Sequence, residues 1–185
     1  MKKFRKAFRI IISLVMLVIL CAAGYNIAMK YMYPMEYVDI VEKYSAEYHV
    51  DKALVMAIIK CESGFDPNAE SEVGAAGLMQ LIKETFNDMN DKVGSNSQIT
   101  FETHAKDIDT NIRYGTRYLK YLNENFNGDK IAVIASYNAG LNNAKKWLGA
   151  DGKLQLDEID FPETKAYVEK VIRAEKHYSK LLPNT

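Results

Sequence analysis

The stretch "ALVMAIIKCESGFDPNAESEVGAAGLMQL", residues 53–81, joins an apolar run to a loop of small residues through one acid, Glu62. Asp51 precedes the run and can cap the start of a helix. The large apolar side chains recur at helical spacing, which predicts a buried helix ending at the acid: Leu54, Val55, Ile58 and Ile59.

Glu62 is a candidate general acid. A carboxylate at the end of an apolar helix is partly desolvated and lies near the negative end of the helix dipole, and both effects raise its pKa. A carboxyl group that is protonated near pH 7 can donate a proton to a leaving oxygen. The small residues after it would let the backbone approach a bulky, hydroxyl-rich ligand closely. From these residues alone, a solvated helix-terminal glutamate remains the common alternative.

Length and charge limit the classes of protein that fit. A chain of 185 residues with 48% hydrophobic and 26% charged residues is one domain with room for an appendage, and wholesale disorder is excluded. Five cations occupy the first nine residues, whereas 19 basic residues face 24 acidic ones from residue 10 onward. That acidic balance of −5 disfavours nucleic acid as a partner.

The basic start leads into 20 uncharged residues, 10–29, long enough as a helix to cross roughly 30 Å of hydrocarbon. Together they predict an anchor in the cytoplasmic membrane, with the N-terminus inside and the rest of the chain outside. A secreted protein is the alternative, because small residues around Ala23 resemble a signal-peptide cleavage site. Cys21 is a poor lipoprotein site because Leu20 precedes it. The exported part then contains only Cys61, so no disulfide is expected within it.

The sequence predicts two parts, an anchor or signal peptide over 1–30 and a catalytic domain over 34–185. Strand signals are scarce, so the domain is expected to be mainly α, with a small loop or hairpin region at the cleft. Pro34 is placed in the first turn of its first helix, which carries Tyr37, Ile40, Val41, Tyr44 and Tyr48 on one face.

Further helices are expected along the domain. A short one covers "LIKETFNDMNDK", residues 81–92, and a long amphipathic one runs from Thr103 to Phe126. Gly115 within the long helix indicates close contact with another helix. Asp129 caps the apolar run "IAVIASY", residues 131–137, which is expected to be the most buried helix, and Pro162 opens a last helix that reaches about Leu182.

Four motifs in order resemble those of the soluble lytic transglycosylase catalytic domain, a lysozyme-like fold of glycoside-cleaving family 23. "ESGFDPNAESEVGAAGLMQ", residues 62–80, matches the family pattern E-S-x-F-x-P-x-A-x-S-x-x-G-A-x-G-L-M-Q. "NIRYGTRYL" (111–119), "SYNAG" (136–140) and "FPETKAYVEKV" (161–171) resemble three further motifs of the family. The chain departs from the pattern at "LIKE" (81–84), where L-M-P is usual, and at "LNNAKKW" (141–147), where Gly-Pro is common.

The resemblance implies an α+β lysozyme-like enzyme that cuts the β-1,4 bond between N-acetylmuramic acid and N-acetylglucosamine in peptidoglycan glycan strands. It makes the glutamate at position 62 the only catalytic carboxylate, acting first as acid and then as base while a 1,6-anhydro ring closes. No cofactor is implied. The loop acids fall on no acidic position of the pattern and are interpreted as solvated charges: Asp66, Glu70 and Glu72.

The substrate-binding candidates are matched residues whose chemistry suits a saccharide. Amides can bind acetamido and hydroxyl groups, tyrosines can stack on sugar faces or orient Glu62, and serines are short donors. Met79 is equally compatible with a core or a cleft position. The candidates are Ser63, Ser71, Met79, Gln80, Tyr137, Asn138 and Tyr167.

No metal site is predicted. The histidines lie far apart without ligand spacing, at His49, His104 and His177. "DMNDKVG", residues 88–94, has Lys92 and Val93 where a calcium loop needs an oxygen ligand and a glycine.

Two alternatives stay open at this stage. A lysozyme-type hydrolase could share the fold and the acid, and a non-catalytic peptidoglycan-binding module could position envelope machinery.

Overall fold

A computed structural model describes residues 2–94 and 96–183, and every side chain in them except those at positions 2–4, 7, 8 and 10. The chain divides into two compact units, one ending at Met35 and one beginning at Glu36. The first unit is essentially one helix, α1, Lys2–Met32. Its segment Ile11–Met32 has a mean hydropathy of 2.3 and buries none of its residues within the structure. Length and composition therefore suit a membrane span, although a signal sequence has the same properties.

The second unit is mostly helical in its described part, which confirms the mainly α prediction. Its elements are α2 Val38–Tyr48, α3 Lys52–Glu62, α4 Lys83–Lys92, α5 Phe101–His104, α6 Ile108–Asn125, α7 Lys130–Ala139, α8 Leu141–Lys146, a 3₁₀ turn Leu156–Glu158, and α9 Pro162–Leu181. Among the described residues, the expected hairpin region is reduced to isolated antiparallel bridges that pair Ala76 with Glu70 and with Leu81.

Helix α3 lies at the centre of this unit. It packs along α9 and against α2, while α7 packs on α6, α8 and α9. Helix α3 has seven consecutive buried residues, 53–59, whereas α7 has five, 132–136. The prediction that α7 would be the most buried helix is therefore wrong, because α3 packs more extensively along α9 and buries a longer unbroken run of residues. Its burial extends almost to Glu62, so the site is built at the edge of the core.

The predicted caps are confirmed. The side chain of Asp51 accepts a hydrogen bond of 2.8 Å from the amide of Ala53, and Asp129 accepts one of 3.1 Å from Ala132. Each bond satisfies an amide that the first turn of a helix leaves without an intrahelical partner. α9 begins at Pro162 as expected.

Three helix boundaries differ from the prediction. The short helix expected over 81–92 begins only at Lys83, because Leu81 pairs with Ala76 in an antiparallel bridge. The single helix expected from Thr103 is two, because Asp107 is extended and its side chain accepts from the amide of Thr110, starting α6 at Ile108. Pro34 lies outside α2, since Tyr37 adopts a left-handed conformation with φ of 57° and the helix begins only at Val38. Val41, Tyr44 and Tyr48 form the buried face, whereas Tyr37 and Ile40 are half-buried.

Candidate active site

Glu62 is the last residue of α3 and is half-buried. Burial raises its pKa from 4.5 to about 7, while the hydrogen bond from Tyr167 and the charge of Lys170 act in the opposite direction. The sequence-based expectation of a raised pKa is therefore met, with desolvation as its main cause. A carboxyl group with this pKa is present in both protonation states near neutral pH, so it can donate and accept a proton in turn.

Tyr167, on α9, holds the carboxyl group of Glu62. Its hydroxyl donates a hydrogen bond of 2.5 Å to Oε1 of Glu62. Burial and the neighbouring acid raise the pKa of Tyr167 well above 10, so the phenol keeps its proton and remains a donor. Of the two roles that the sequence allows for this tyrosine, the structure places its hydroxyl on the acid.

Tyr137, on α7, has a different partner. Its hydroxyl donates to the carbonyl oxygen of Met79 at 2.8 Å and so ties α7 to the loop that follows the acid. Burial, together with the nearby Glu62, raises the pKa of Tyr137 well above 10. Tyr137 is thus close to the acid electrostatically, but its hydroxyl bonds to the loop.

Asn111, on α6, holds the loop that follows Glu62 through hydrogen bonds to its main chain. It is fully buried, its Oδ1 accepts from the amide of Met79 at 2.8 Å, and its Nδ2 donates to the carbonyls of Ala76 (3.0 Å) and Ala105 (2.6 Å). The sequence did not single out this residue as functional, although it opens the quoted motif "NIRYGTRYL". A buried amide whose hydrogen bonds go to three main-chain groups is a positioning residue for the loop.

Gly77 allows the loop to lie in close contact with the side chain of Asn111 and the carbonyl of Ala105. Its φ is +78°, and a Cβ at this position would lie 2.4 Å from both the Ala105 carbonyl oxygen and Nδ2 of Asn111. No other residue type fits without moving the loop away from α6.

The side chain of Met79 packs against a second glycine, Gly115 of α6. Its side chain is 0% exposed, and a Cβ on Gly115 would lie 2.3 Å from its Sδ. The expected helix contact at Gly115 is therefore a contact with this loop side chain. The side chain of Met79 belongs to the core in this structure, which leaves its main chain as the part held by Asn111 and Tyr137.

The two serines near the acid hydrogen-bond to the protein. Oγ of Ser63 donates to the carbonyl of Leu78 at 2.8 Å, and Oγ of Ser71 accepts from the amide of Ala75 at 3.0 Å. Ser63 thereby links the end of α3 to the loop, and Ser71 closes a turn within it.

The two amide side chains lie nearer the surface. Gln80 is half-buried, and its Nε2 donates to the carbonyls of Gly77 (2.9 Å) and Ala69 (3.1 Å). Asn138 is exposed, and its Oδ1 accepts from the hydroxyl of Thr164 at 2.8 Å. Both amides are oriented by protein groups, which suits them for directional hydrogen bonds to a ligand.

The other acids of the loop are exposed, as solvated charges would be. Glu70 forms an ion pair of 2.8 Å with Lys106, and Asp66 accepts from the amide of Asn68 at 2.9 Å. Among the described residues, no other carboxylate contributes to the pKa shift of Glu62.

A row of aromatic rings extends from Tyr137 along α6. The ring of Tyr118 lies 5.4 Å from that of Tyr137 and stacks at 6.3 Å on Tyr121, over which Nζ of Lys92 lies at 5.1 Å. Burial raises the pKa of Tyr118 to about 12. Such rings suit contact with the apolar faces of sugars. The sequence-based candidates omitted both residues of α6, although they share a helical face at a spacing of three.

The fold and the site together define the class of protein as a lysozyme-like helical domain with a desolvated glutamate, Glu62, at the end of its central helix. The family model for the Transglycosylase SLT domain matches residues 39–159, more than half of the chain, and the chain belongs to this family. The family expected from the motifs is thereby confirmed.

Similar proteins carry related names. The chain is 32% identical over 151 residues to the soluble lytic murein transglycosylase of Escherichia coli strain K12, an alignment covering 79% of this chain and 23% of that protein. It is 29% identical over 166 residues to the membrane-bound lytic murein transglycosylase C of Yersinia pestis strain Pestoides F, covering 77% and 46%. The chain thus spans about a quarter of the length of the soluble relatives that it matches.

Solved structures agree. The 70 kDa soluble lytic transglycosylase of Escherichia coli superimposes with a TM-score of 0.74 at 32% identity, over 80% of this chain and 25% of that one. An inactive mutant of the lytic transglycosylase Slt of Pseudomonas aeruginosa gives 0.74 at 30% identity, with the same coverage.

Proposed function

We propose that this protein is a peptidoglycan lytic transglycosylase, cleaving the β-1,4 bond between N-acetylmuramic acid and N-acetylglucosamine. The observation that carries the proposal is Glu62, a single carboxyl group with a pKa of about 7 held by the hydroxyl of Tyr167. Membership of the SLT family and the names of its relatives support the same substrate class.

In the first step Glu62 is protonated and donates its proton to the glycosidic oxygen. The bond from that oxygen to C1 of the muramic residue breaks, and the N-acetylglucosamine side leaves as an alcohol. Positive charge develops at C1 while Glu62 becomes a carboxylate. The hydrogen bond from Tyr167 favours this charged form and keeps the carboxylate in place.

In the second step the carboxylate of Glu62 accepts the proton of the muramic C6 hydroxyl. The C6 oxygen bonds to C1 and closes a 1,6-anhydro ring, and Glu62 returns to its protonated state. Water is neither consumed nor released. Glu62 donates a proton in the first step and accepts one in the second, so a pKa near 7 suits both steps.

A rigid loop wall would favour ring closure over hydrolysis. An oriented internal hydroxyl can have an effective molarity of about 10⁵ M or more, far above that of water at about 55 M. Asn111 and Tyr137 hold both main-chain polar groups of Met79. In this proposal the wall built on them confines the muramic ring, with Gln80 and Asn138 supplying hydrogen bonds and Ser63 and Ser71 shaping the wall.

The products test the proposal. The purified full chain in detergent is incubated with peptidoglycan sacculi in H₂¹⁸O, and the released fragments are analysed by mass spectrometry. We expect 1,6-anhydromuramoyl ends without ¹⁸O. Reducing muramic ends that carry one ¹⁸O would identify a lysozyme-type hydrolase, and no cleavage would identify a binding module.

We further propose that residues 10–29 anchor residues 34–185, the catalytic domain, on the outer side of the cytoplasmic membrane. The apolar helix and the five preceding cations support this orientation. Such an anchor would confine wall cleavage to the region near the membrane, where envelope machinery could use it. A secreted form after signal cleavage is the alternative.

A further inference from the structure

Three cations act electrostatically on the end of α3 in a domain that is acidic as a whole. Burial raises the pKa of the Cys61 thiol, and the charges of Lys170, Lys60 and Arg173 act against that rise, so all three are electrostatically close to this residue. Cys61 directly precedes Glu62. Positive charge from three side chains therefore acts next to the acid, although acidic residues outnumber basic ones from residue 10 onward by five.

Lys170 is the member of this cluster nearest to the chemistry. It lies on α9 one turn after Tyr167, and its Nζ donates to the carbonyl oxygen of Cys61 at 3.5 Å. Its charge also acts on Glu62. The side chain is exposed, and an ammonium group carries three donors, of which this bond uses one. Lys170 can therefore reach a ligand bound at the acid.

We propose that Lys170 is a substrate-binding residue that takes a carboxylate carried by the muramic residue whose bond Glu62 protonates. The inference rests on the proposed function and specifies the substrate of the same site. Muramic acid has a lactyl group, which either bears a free carboxylate or is joined to a peptide stem with carboxylates of its own. Both sources present the same chemistry to an ammonium group.

The surroundings of Lys170 favour a ligand carboxylate. Glu62 is only partly ionised near pH 7, so it offers Lys170 less than a full counter-charge. Arg173 already pairs with Glu169 at 3.6 Å on the same helix. A substrate carboxylate at Lys170 would supply the missing negative charge and would give the sugar a second fixed point besides the acid. Two fixed points restrict rotation of the sugar, as attack of its C6 oxygen on C1 requires.

Binding to an inactive chain tests the inference. In the Glu62→Gln full-length protein, dissociation constants are measured for three probes of equal glycan length: strands with peptide stems, strands whose stems an amidase has removed, and N-acetylglucosamine oligomers. The second probe carries free lactyl carboxylates, and the third carries no carboxylate. Adding Lys170→Gln should weaken binding of at least one carboxylate probe about fivefold, as expected for an exposed ion pair, and leave the oligomer unaffected. Lys170→Arg should restore most of the loss.

Lys176→Gln is the matched control, because Lys176 is an exposed lysine on the same helix and its loss changes the net charge equally. A loss confined to stem-bearing strands identifies the stem carboxylates, and a loss confined to the amidase-treated strands identifies the lactyl group. Equal dissociation constants with and without Lys170 for all three probes overturn the inference, as does an equal loss in the Lys176 variant. Failure of the proposed function is seen separately, as an absence of anhydro ends from the chain with Glu62 intact.

Discussion

The hydroxyl of Tyr167 donates a 2.5 Å hydrogen bond to Oε1 of Glu62, joining α9 to the end of α3 across 105 positions of sequence. Burial raises the pKa of the acid and this bond lowers it, so the value of about 7 results from opposing effects. The burial results from helix packing, and the phenol of Tyr167 supplies part of the effect that lowers the pKa. The proton affinity of the site can therefore be changed by substitutions on either helix.

Replacing Glu62 with Gln should abolish cleavage and keep the fold. The amide is nearly isosteric but cannot donate and accept a proton as the acid does, so we expect a rate loss of at least about 10²-fold. Release of muropeptides from sacculi gives the rate, and circular dichroism verifies the fold. Glu70→Gln, at an exposed acid of the same loop, is the control and should cleave normally. Near-normal cleavage by a folded Glu62→Gln protein would show that another group is the acid.

The same substitution should stabilise the protein at alkaline pH. Because the folded-state pKa of Glu62 is raised from 4.5 to about 7, its contribution to stability is fully present below pH 4.5 and is lost as the pH rises through 7. Glu62→Gln removes this penalty, worth up to about 3 kcal/mol at pH 8. Urea unfolding at pH 8 and pH 4.5 measures the difference, which should shrink at the lower pH. An equal difference at both pH values would mean that the acid is not desolvated.

Tyr167→Phe should reduce activity and shift its pH profile. Loss of the hydroxyl removes the hydrogen bond that lowers the pKa of Glu62, so the basic limb of kcat/KM should move to higher pH. We expect a loss of about tenfold or more, the usual value for a hydrogen bond to a charged group. Tyr44→Phe is the matched control, since it removes a tyrosine–carboxylate bond of the same length, to Asp109. An unshifted limb in the Tyr167 variant would assign Tyr167 a purely structural role.

Asn111→Ala should damage the loop more than the core. The substitution leaves the amide of Met79 and the carbonyls of Ala76 and Ala105 without their buried partner, costing about 1–3 kcal/mol for each unsatisfied group. Activity should fall more than binding, because the wall that orients the sugar is loosened. Thermal unfolding and cleavage assays measure both effects. Unchanged stability would contradict the role assigned to Asn111.

Gly77→Ala tests the same contact from the other side. The added Cβ would lie 2.4 Å from Nδ2 of Asn111 and from the Ala105 carbonyl oxygen. The backbone at this position also has a φ of +78°, which alanine adopts poorly, so we expect loss of both stability and activity. Gly74→Ala is the control for the backbone strain alone, because it has a similar φ of +79° but open space around its Cβ position. Equal effects of the two changes would exclude close packing as the cause.

The membrane proposal predicts an N-terminus inside the cell and a C-terminus outside. A periplasm-active reporter fused after residue 185 should be active, and the full-length chain should sediment with membranes. Removing the charge of the five N-terminal cations should reduce correct insertion. A mature N-terminus near Gly24 would favour the secreted alternative, and full-length protein in the cytosol would contradict both.

Local signals fixed much of this protein in advance. The periodicity of residues 53–59, the caps at Asp51 and Asp129, and the motif around Glu62 act over a few neighbouring residues, so the helices and the acid were predictable from sequence. An apolar helix that ends at an acid also implies desolvation. The direction of the pKa shift therefore followed from the chain itself.

Only the tertiary structure decided which partner each side chain has. Tyr137 and Tyr167 are both motif tyrosines, yet the hydroxyl of Tyr137 bonds to the carbonyl of Met79 and that of Tyr167 bonds to Glu62. The difference arises because α9, which carries Tyr167, packs along α3, whereas Tyr137 lies on α7 against the loop. Asn111 is polar and lies within a helix, and nothing local reveals that it is buried beneath a loop more than 30 residues earlier. Hydrogen bonds of this kind depend on how helices that are distant in sequence pack together. The spacing of residues along one helix shows which face is buried, but it does not show which element packs against that face.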